Sequence, residues 1–162
     1  MPEARGLPVE ITVFVDADHG GDKNNRRSQT GVLIFLNKAP IHWLSKRQPS
    51  VKTSTFGAKF CAMKMAVEMT EALRYKLRMF GVTIDSPASV FCDNEAVYQN
   101  TAIPESTLRK KHHSIAYHRC REAVAAKTIR VAKQGTAKNL ADLFTKILTS
   151  ARRTFLLERF TY

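Results

Sequence analysis

Two carboxylates stand at the end of an alternating apolar stretch near the N-terminus. Residues 9–15 alternate apolar and polar side chains, and Asp16, Asp18 and the turn-rich run 19–22 follow them. Such alternation predicts a strand with one buried face. An acid at the tip of a buried strand is typical of a divalent-metal site or of proton transfer. A single aspartate also caps turns, so the assignment depends on further acids.

Two further acids occupy comparable places in the chain. Asp93 directly follows the short, mostly apolar segment 88–92, which is predicted to be a strand. Asp142 lies in the first turn of a helix predicted over 140–148, with Asn139 as its cap. The sequence therefore offers three acids, each at one end of a predicted element.

The elements between these acids determine whether they meet. Segments 30–36 and 39–44 are predicted strands around a tight turn, and they pair antiparallel because parallel pairing needs a long crossover. A long helix over 54–80 then carries the chain to strand 88–92, which should lie parallel to the first strand and beside it. This topology predicts that Asp16 and Asp93 are neighbours, with Asp142 on the same rim.

The remaining patterns complete an α/β domain. They predict a helix over 95–100, a basic helix over 110–126, a strand over 128–132 and a helical C-terminal segment. The predicted sheet has five strands, three antiparallel and two parallel, flanked by helices, and Trp43 is expected in the core on a sheet face. We divide the chain into a linker (1–8), one domain (9–150) and a C-terminal helical tail (151–162).

Composition narrows the class of partner. The formal net charge of +12 and a pI of about 10.0 favour a polyanionic partner, with nucleic acid as the first candidate. No apolar run is long enough to span a bilayer, and no amphipathic basic helix or lipidation signal argues for a membrane, so no membrane partner is expected. Cys61, Cys92 and Cys120 are odd in number and widely spaced, which predicts reduced thiols and an intracellular protein, cytoplasmic or nuclear.

The chain carries a series of stretches typical of one family. They are Val15–Asp18 with 21–23, then 26–31, 39–49, 92–94, 111–112, 117–118, 121–122 and 140–146. In this order and spacing they resemble the ribonuclease H domain of copia-type retrotransposon polyproteins. The resemblance covers nearly the whole chain and implies the ribonuclease H fold, with a reverse transcriptase upstream in the parent polyprotein.

The resemblance also implies a chemistry and its residues. Such domains hydrolyse the RNA strand of an RNA/DNA hybrid with two Mg²⁺ ions, or Mn²⁺, held on four carboxylates. The first acid of the family falls on Asp16, the third on Asp93 and the fourth on Asp142. The second, a glutamate in the first turns of the long helix, falls on Lys59.

No neighbouring acid replaces the missing glutamate. Position 57 is glycine, and the next helix acid, Glu68, lies roughly 13 Å further along the axis at about 1.5 Å per residue. Lys59 shares a helical side with Met63 and Thr70, so its stem points toward the sheet. We expect its ammonium beside Asp16 or Asp93 in the place of a metal ion, with hydrolysis impaired. The alternative is a lysine that extends to solvent.

A basic rim is expected around these acids. Residues predicted to contact phosphate are Arg26, Arg27, Lys46, Arg47, Lys110 and Lys111. Hydroxyl contacts to phosphate or 2′-OH are assigned to Ser28, Thr30 and Ser45, with turn capping as the alternative. Among His112, His113 and His118, nothing in the spacing selects a product-release residue, and a structural role is favoured for each.

Three functions remain for comparison. The first is a ribonuclease H domain, impaired by Lys59. The second is a non-catalytic ribonuclease H fold that keeps its basic face and binds nucleic acid or a protein scaffold. A transposase or integrase core is disfavoured, because it also needs a full acidic set and the hairpin stretches match it less well.

Overall fold

A computed structural model describes residues 2–3, 5–22, 24–106 and 113–160 of the chain. Its regular elements alternate between a single sheet and the helices that cover the sheet. In chain order they are β1 Ile11–Asp18, β2 Gln29–Leu36, β3 Ala39–Arg47, α1 Thr55–Met79, β4 Ala88–Cys92, α2 Glu95–Ala102, α3 Ser114–Ala125, β5 Ile129–Lys133, two 3₁₀ turns at Thr136–Lys138 and Leu140–Phe144, and α4 Ser150–Leu157.

The sheet has the predicted mixed topology. Its strand order is β3-β2-β1-β4-β5, with β1, β2 and β3 antiparallel and β4 and β5 parallel to β1. The long connection through α1 permits the parallel pairing of β1 with β4, because a helix supplies the crossover length. The predicted α/β class and the five-stranded mixed sheet are confirmed.

Strand pairing extends β1 and β3 beyond their predicted ends. β1 continues to Asp18 because that residue still pairs with Gln29 of β2, and Gln29 in turn pairs with Arg47 of β3. Asp16 and Asp18 therefore belong to the last residues of the strand, where the sequence predicted them just after it. The basic end of β3 is consequently held at the same edge of the sheet as Asp16.

The two faces of the sheet carry separate cores. α1 begins at its cap Ser54, whose hydroxyl accepts a hydrogen bond from the Gly57 N–H at 3.2 Å. Its face with Phe60 and Met63 packs, together with α3, on the inward residues of β1 and β4. None of the helices in the described ranges combines the length and apolar character that a membrane span requires.

The opposite face of the sheet is covered by a smaller hydrophobic cluster. Leu33 and Phe35 of β2 pack there against Leu140 and Leu156, which come from the second 3₁₀ turn and from α4. Trp43 is on this face, on the edge strand β3 at the margin of that cover, and it is 58% exposed. The prediction of Trp43 as a core residue is therefore wrong.

The helix predicted over 140–148 is a 3₁₀ turn of five residues. Asn139 caps it as predicted, with its side-chain oxygen accepting the Ala141 N–H at 3.1 Å. The turn ends at Thr145, whose hydroxyl donates a hydrogen bond to the Asp16 carboxylate. The shorter turn keeps Asp142 at the predicted end of the segment.

Described residues near each end of the chain contact the rest of the domain. Within the predicted linker, Arg5 forms a bridge with Val82, and the N–H of Val9, just after that linker, donates to the Thr83 carbonyl at 2.9 Å. In the predicted tail, Leu156 of α4 is fully buried. The division at residues 8 and 150 stays a prediction, and these contacts favour one packed unit over a domain with free ends.

Candidate active site

Three aspartates meet at one edge of the sheet, as their positions in the sequence predicted. Asp16 and Asp93 each lie two residues beyond the parallel pair Phe14–Phe91, so the register of β1 and β4 sets them side by side. Asp142 is added from the 3₁₀ turn, and one carboxylate oxygen from each residue lies within 4.8 Å of the others. The predicted clustering is confirmed.

A glycine on β2 allows the 3₁₀ turn to approach this edge. A Cβ placed on Gly31 would lie 2.6 Å from the Thr145 methyl carbon and 2.8 Å from the Ala141 carbonyl oxygen. The turn is also tied to β1, since the Asn139 side-chain amide donates to the Val15 carbonyl at 3.0 Å. Close backbone approach and one buried hydrogen bond thus position Asp142 beside Asp16.

Lys59 points into the cluster. Its ammonium lies 2.8 Å from Asp16 Oδ1 and also donates to Asp93 Oδ1, and its side chain is only 13% exposed. The second turn of α1 faces the sheet at this level, so the lysine stem crosses the short gap to β1 and β4. The predicted contact is confirmed, and the alternative of a solvent-directed lysine is wrong.

A second ammonium was missed by the sequence reasoning. Lys146 Nζ lies 2.7 Å from Asp142 Oδ1 and 3.2 Å from Asp16 Oδ2, and Arg152 approaches Asp142 Oδ2 at 3.7 Å. The Thr145 hydroxyl donates to Asp16 Oδ2 at 2.5 Å. The i, i+4 spacing of Asp142 and Lys146 was the available signal. Each of the three aspartates is therefore paired with a cation of the protein.

These contacts change the ionisation of the cluster. Burial would raise the pKa of Asp16, but Lys59, the Thr145 hydroxyl and Lys146 together lower it to about 2. Burial and the neighbouring Asp16 carboxylate raise the pKa of Asp142. Burial opposes the charged forms of Lys59 and Lys146, yet their carboxylate partners raise both pKa values. Both ammoniums thus stay protonated at neutral pH.

The lowered pKa of Asp16 predicts a loss of stability in acid. Its shift from 3.8 to about 2 stabilises the fold by about 2 kcal/mol above pH 3.8, and this contribution disappears as the pH falls toward 2. The raised pKa of Asp142 contributes a constant amount below pH 3.8, so it does not cancel the loss. Urea unfolding at pH 4 and pH 2 measures the difference. An equal loss in Asp16→Asn would contradict the assignment.

The residues present do not fit a pair of divalent ions. Both oxygens of Asp16 accept hydrogen bonds from protein groups, and Asp142 Oδ1 accepts one from Lys146. Three carboxylates face two ammoniums and one guanidinium, so the formal charge of the group is about zero. A divalent cation prefers anionic oxygens with no competing positive charge. The carboxylate oxygens that a magnesium ion would need are therefore engaged by cations and a hydroxyl of the protein.

Part of the predicted basic rim is at the same edge. Arg26, Arg27, Lys46 and Arg47 are exposed, and Lys46 lies two strands from Ala17 through its pairing with Thr30. Arg47 also pairs with Asp22 at 2.8 Å. Lys110 and Lys111 lie outside the described residues. Contact of these cations with phosphate stays a prediction.

Two of the three predicted hydroxyl contacts need correction. Ser28 and Thr30 are fully buried, with the Ser28 hydroxyl accepting the Gly20 N–H and the Thr30 hydroxyl accepting from Gln48. Their side chains hold the loop and strand ends together, in line with the capping alternative, and they do not reach a ligand at the surface. Ser45 is exposed and donates to the Phe144 carbonyl at 2.6 Å.

The histidines fall into different environments. His113 is buried against the start of α1, where a Cβ on Gly57 would lie 2.6 Å from its ring, and it packs edge-on against Phe56. This packing favours a structural role and explains why position 57 carries glycine. His118 is exposed beside the Tyr117 ring. His112 lies outside the described residues.

Comparison with known proteins agrees with this fold. No protein-family model matches the chain. It is 30% identical over 90% of its length to a retrovirus-related Pol polyprotein from transposon RE1 of Arabidopsis thaliana. It is 32% identical over 83% of its length to one from transposon TNT 1-94 of Nicotiana tabacum. The chain spans about a tenth of the length of each of these relatives.

Solved structures show the same architecture. LC11-RNase H1, isolated from compost by a metagenomic approach, superimposes with a TM-score of 0.65 at 17% identity, covering 84% of this chain and 92% of that one. The same enzyme has been solved in complex with RNA/DNA hybrid and gives a TM-score of 0.63 at 18% identity. The chain has the ribonuclease H fold, and by sequence it resembles one segment of retrotransposon Pol polyproteins.

Proposed function

We propose that this chain is the ribonuclease H domain of a copia-type retroelement polyprotein in which hydrolysis has been lost or nearly lost while hybrid binding is kept. The observation that carries the proposal is the Lys59 ammonium between the Asp16 and Asp93 carboxylates. Asp16, Asp93 and Asp142 are the remaining members of the family's metal-ligand set. Lys59 takes the position of the family's second acid, a glutamate.

The charge at position 59 explains why hydrolysis should fail. Replacing the family's glutamate by lysine removes one anionic ligand and adds one cation, a change of two charge units. At an effective dielectric constant of about 20, each close charge pair is worth about 4 kcal/mol. Breaking the buried Lys59 pairs to admit a metal ion would also leave an ammonium without its anions.

Binding of hybrid does not require the acidic cluster. Most protein contacts to a duplex go to its phosphates, and these depend on surface cations. The exposed Arg26, Arg27, Lys46 and Arg47 supply such cations at the edge that holds the cluster. We therefore propose RNA/DNA hybrid as the partner, Mg²⁺ or Mn²⁺ as the ancestral cofactor, an upstream reverse transcriptase, and an intracellular location.

The non-catalytic alternative uses the same surface. A ribonuclease H fold whose acidic cluster is paired with cations of the protein would also suit a nucleic-acid-binding or scaffold module without hydrolysis. The two functions differ only in residual hydrolysis, because both keep the basic rim. Magnesium-dependent cleavage of a labelled hybrid, measured with the chain as written and with Lys59→Glu, separates them.

Hybrid binding should weaken steeply with salt and depend on the basic rim. Neutralising Arg26, Arg27, Lys46 and Arg47 to Gln should reduce the slope of log affinity against log salt by roughly one unit for each phosphate that the variant no longer neutralises. Fluorescence anisotropy of a labelled hybrid over a salt series measures this slope.

A matched variant controls for net charge. The control residues are exposed and lie toward the strand ends opposite the acidic cluster, near the end of α1 and the start of β5. They are Lys76, Arg78, Lys127 and Arg130. Neutralising these four removes the same charge and should leave most of the slope in place. Equal slopes for the two quadruple variants would show that the rim is ordinary solvated surface.

A further inference from the structure

Trp43 is exposed and does not belong to the acidic cluster. It is the single tryptophan of the chain and 58% exposed. Its place on the edge strand β3, opposite Leu33 of β2, sets it on the face covered by α4. An exposed indole offers a large flat apolar surface, which is typical of a ligand contact.

A groove of about 580 Å³ adjoins this indole. Its walls come from β3, the second 3₁₀ turn and α4, and its charged residue is Arg153. The apolar lining residues are Pro40, Trp43, Leu143, Phe144, Leu157 and Phe160. The groove therefore combines an aromatic floor with a cation at its side.

The same face of β3 becomes polar and then basic toward the site edge. Trp43, Ser45 and Arg47 alternate along the strand, which sets them on one face, and about 3.3 Å per residue separates Trp43 from Arg47 by about 13 Å. Arg47 and Arg27 line a second depression of about 480 Å³, together with Asp18 and Asp22. Arg47 pairs with Asp22, but a guanidinium has five N–H donors and can bind a second oxygen.

We propose that the β3 strip, defined as Trp43, Ser45 and Arg47, binds a single-stranded nucleic-acid segment. A base stacks on the Trp43 indole, while backbone phosphates contact Arg47 and Arg153. Aromatic platforms interleaved with cations are the chemistry by which proteins hold single strands without sequence preference. This inference rests on the proposed nucleic-acid binding and extends it to a second surface.

Charge argues for this occupant over another copy of the chain. The formal net charge of +12 attracts a polyanion and repels a second copy along the same strip. Arg153 lines the groove, and Arg47 and Arg27 line the second depression. An apolar protein segment would fill the groove but would bring no anion to Arg153.

Intrinsic fluorescence tests the stacking directly, because Trp43 is the sole tryptophan. Oligothymidine of about 12 nucleotides, within the site size of known single-strand binders, should quench and saturate the Trp43 emission. Inorganic polyphosphate should compete for the cations and leave the emission unquenched, since it has no base to stack. Unchanged emission at saturating oligothymidine would overturn the inference and favour an apolar protein segment in the groove. Equal quenching by polyphosphate would overturn the stacking.

Substitutions separate the stacked base from general charge attraction. Trp43→Ala should weaken oligothymidine binding roughly five- to 150-fold, the range for one stacked base, and Trp43→Phe should restore most of it. Tyr75→Ala is the matched control, because Tyr75 is 59% exposed on α1 at the other face of the sheet. Equal effects of Trp43→Ala and Tyr75→Ala would overturn the proposal.

The outcome distinguishes this inference from the proposed function. Hybrid affinity of an Arg26, Arg27 and Lys46 variant, which leaves Arg47 of the strip in place, reports on the basic rim, while Trp43 emission reports on the strip. Loss of the oligothymidine signal with intact hybrid binding overturns the strip alone. Intact quenching with no hybrid binding overturns the hybrid proposal and leaves the strip as the nucleic-acid site.

Discussion

Lys59→Glu should make the stability of the protein depend on magnesium. Without divalent ions, the substitution breaks two buried ion pairs and adds a fourth carboxylate, so the free energy of unfolding should fall by about 3–5 kcal/mol. Magnesium at about 100 times its Kd should restore about 2.7 kcal/mol, because it binds the folded state. The unsubstituted chain should show no such response. Thermal unfolding over a magnesium titration measures both.

Two variants control for the loss of the lysine itself. Lys59→Gln and Lys59→Ala remove the ammonium without supplying a carboxylate, so each should be destabilised and should respond less to magnesium than Lys59→Glu. Magnesium dependence should be accompanied by cleavage of hybrid only in Lys59→Glu. If all three variants responded equally to magnesium, position 59 would not be a ligand position.

Leu156→Ala should be among the most destabilising single substitutions in the chain. Leu156 is fully buried against Leu33, Phe35 and Leu140, and it is the one buried residue of α4 in the described chain. Truncating a buried leucine to alanine costs about 2–5 kcal/mol through lost transfer energy and the cavity left behind. Urea unfolding followed by circular dichroism measures the change.

The next residue provides the control. Leu157 is 39% exposed, and its substitution by alanine should cost about 1 kcal/mol or less. The difference between the two variants tests whether residues after 150 belong to the packed domain. A cost for Leu156→Ala no larger than that for Leu157→Ala would show that α4 is a loosely attached tail.

The fold was predictable because periodicity and connection length act locally. The alternation in β1, the tight turn at residues 37–38 and the long α1 fix three antiparallel strands and one parallel crossover. Strand ends were less predictable, since β1 reaches Asp18 only through its pairing with Gln29. The 3₁₀ turn was not predicted from local pattern; its C-cap residue, Thr145, donates its hydroxyl to Asp16 of β1, a contact that no local pattern records.

The site was predictable as far as topology could place it. Parallel strands β1 and β4 bring Asp16 and Asp93 together, and helical phase points Lys59 at them. The ion pair of Lys146 with Asp142 was not predicted, because it depends on the backbone path after the 3₁₀ turn. Exposure of Trp43 likewise depends on how far α4 covers the sheet, which no local pattern records.

Hydrolysis by the chain as written tests the central claim most directly. An RNA/DNA hybrid labelled on its RNA strand is incubated with magnesium. The protein is present at a concentration that saturates hybrid binding. We expect RNA cleavage close to the background without magnesium, because Lys59 and Lys146 occupy the carboxylates. Lys59→Glu, assayed in parallel, should cleave. Robust magnesium-dependent cleavage by the unsubstituted chain would contradict the account.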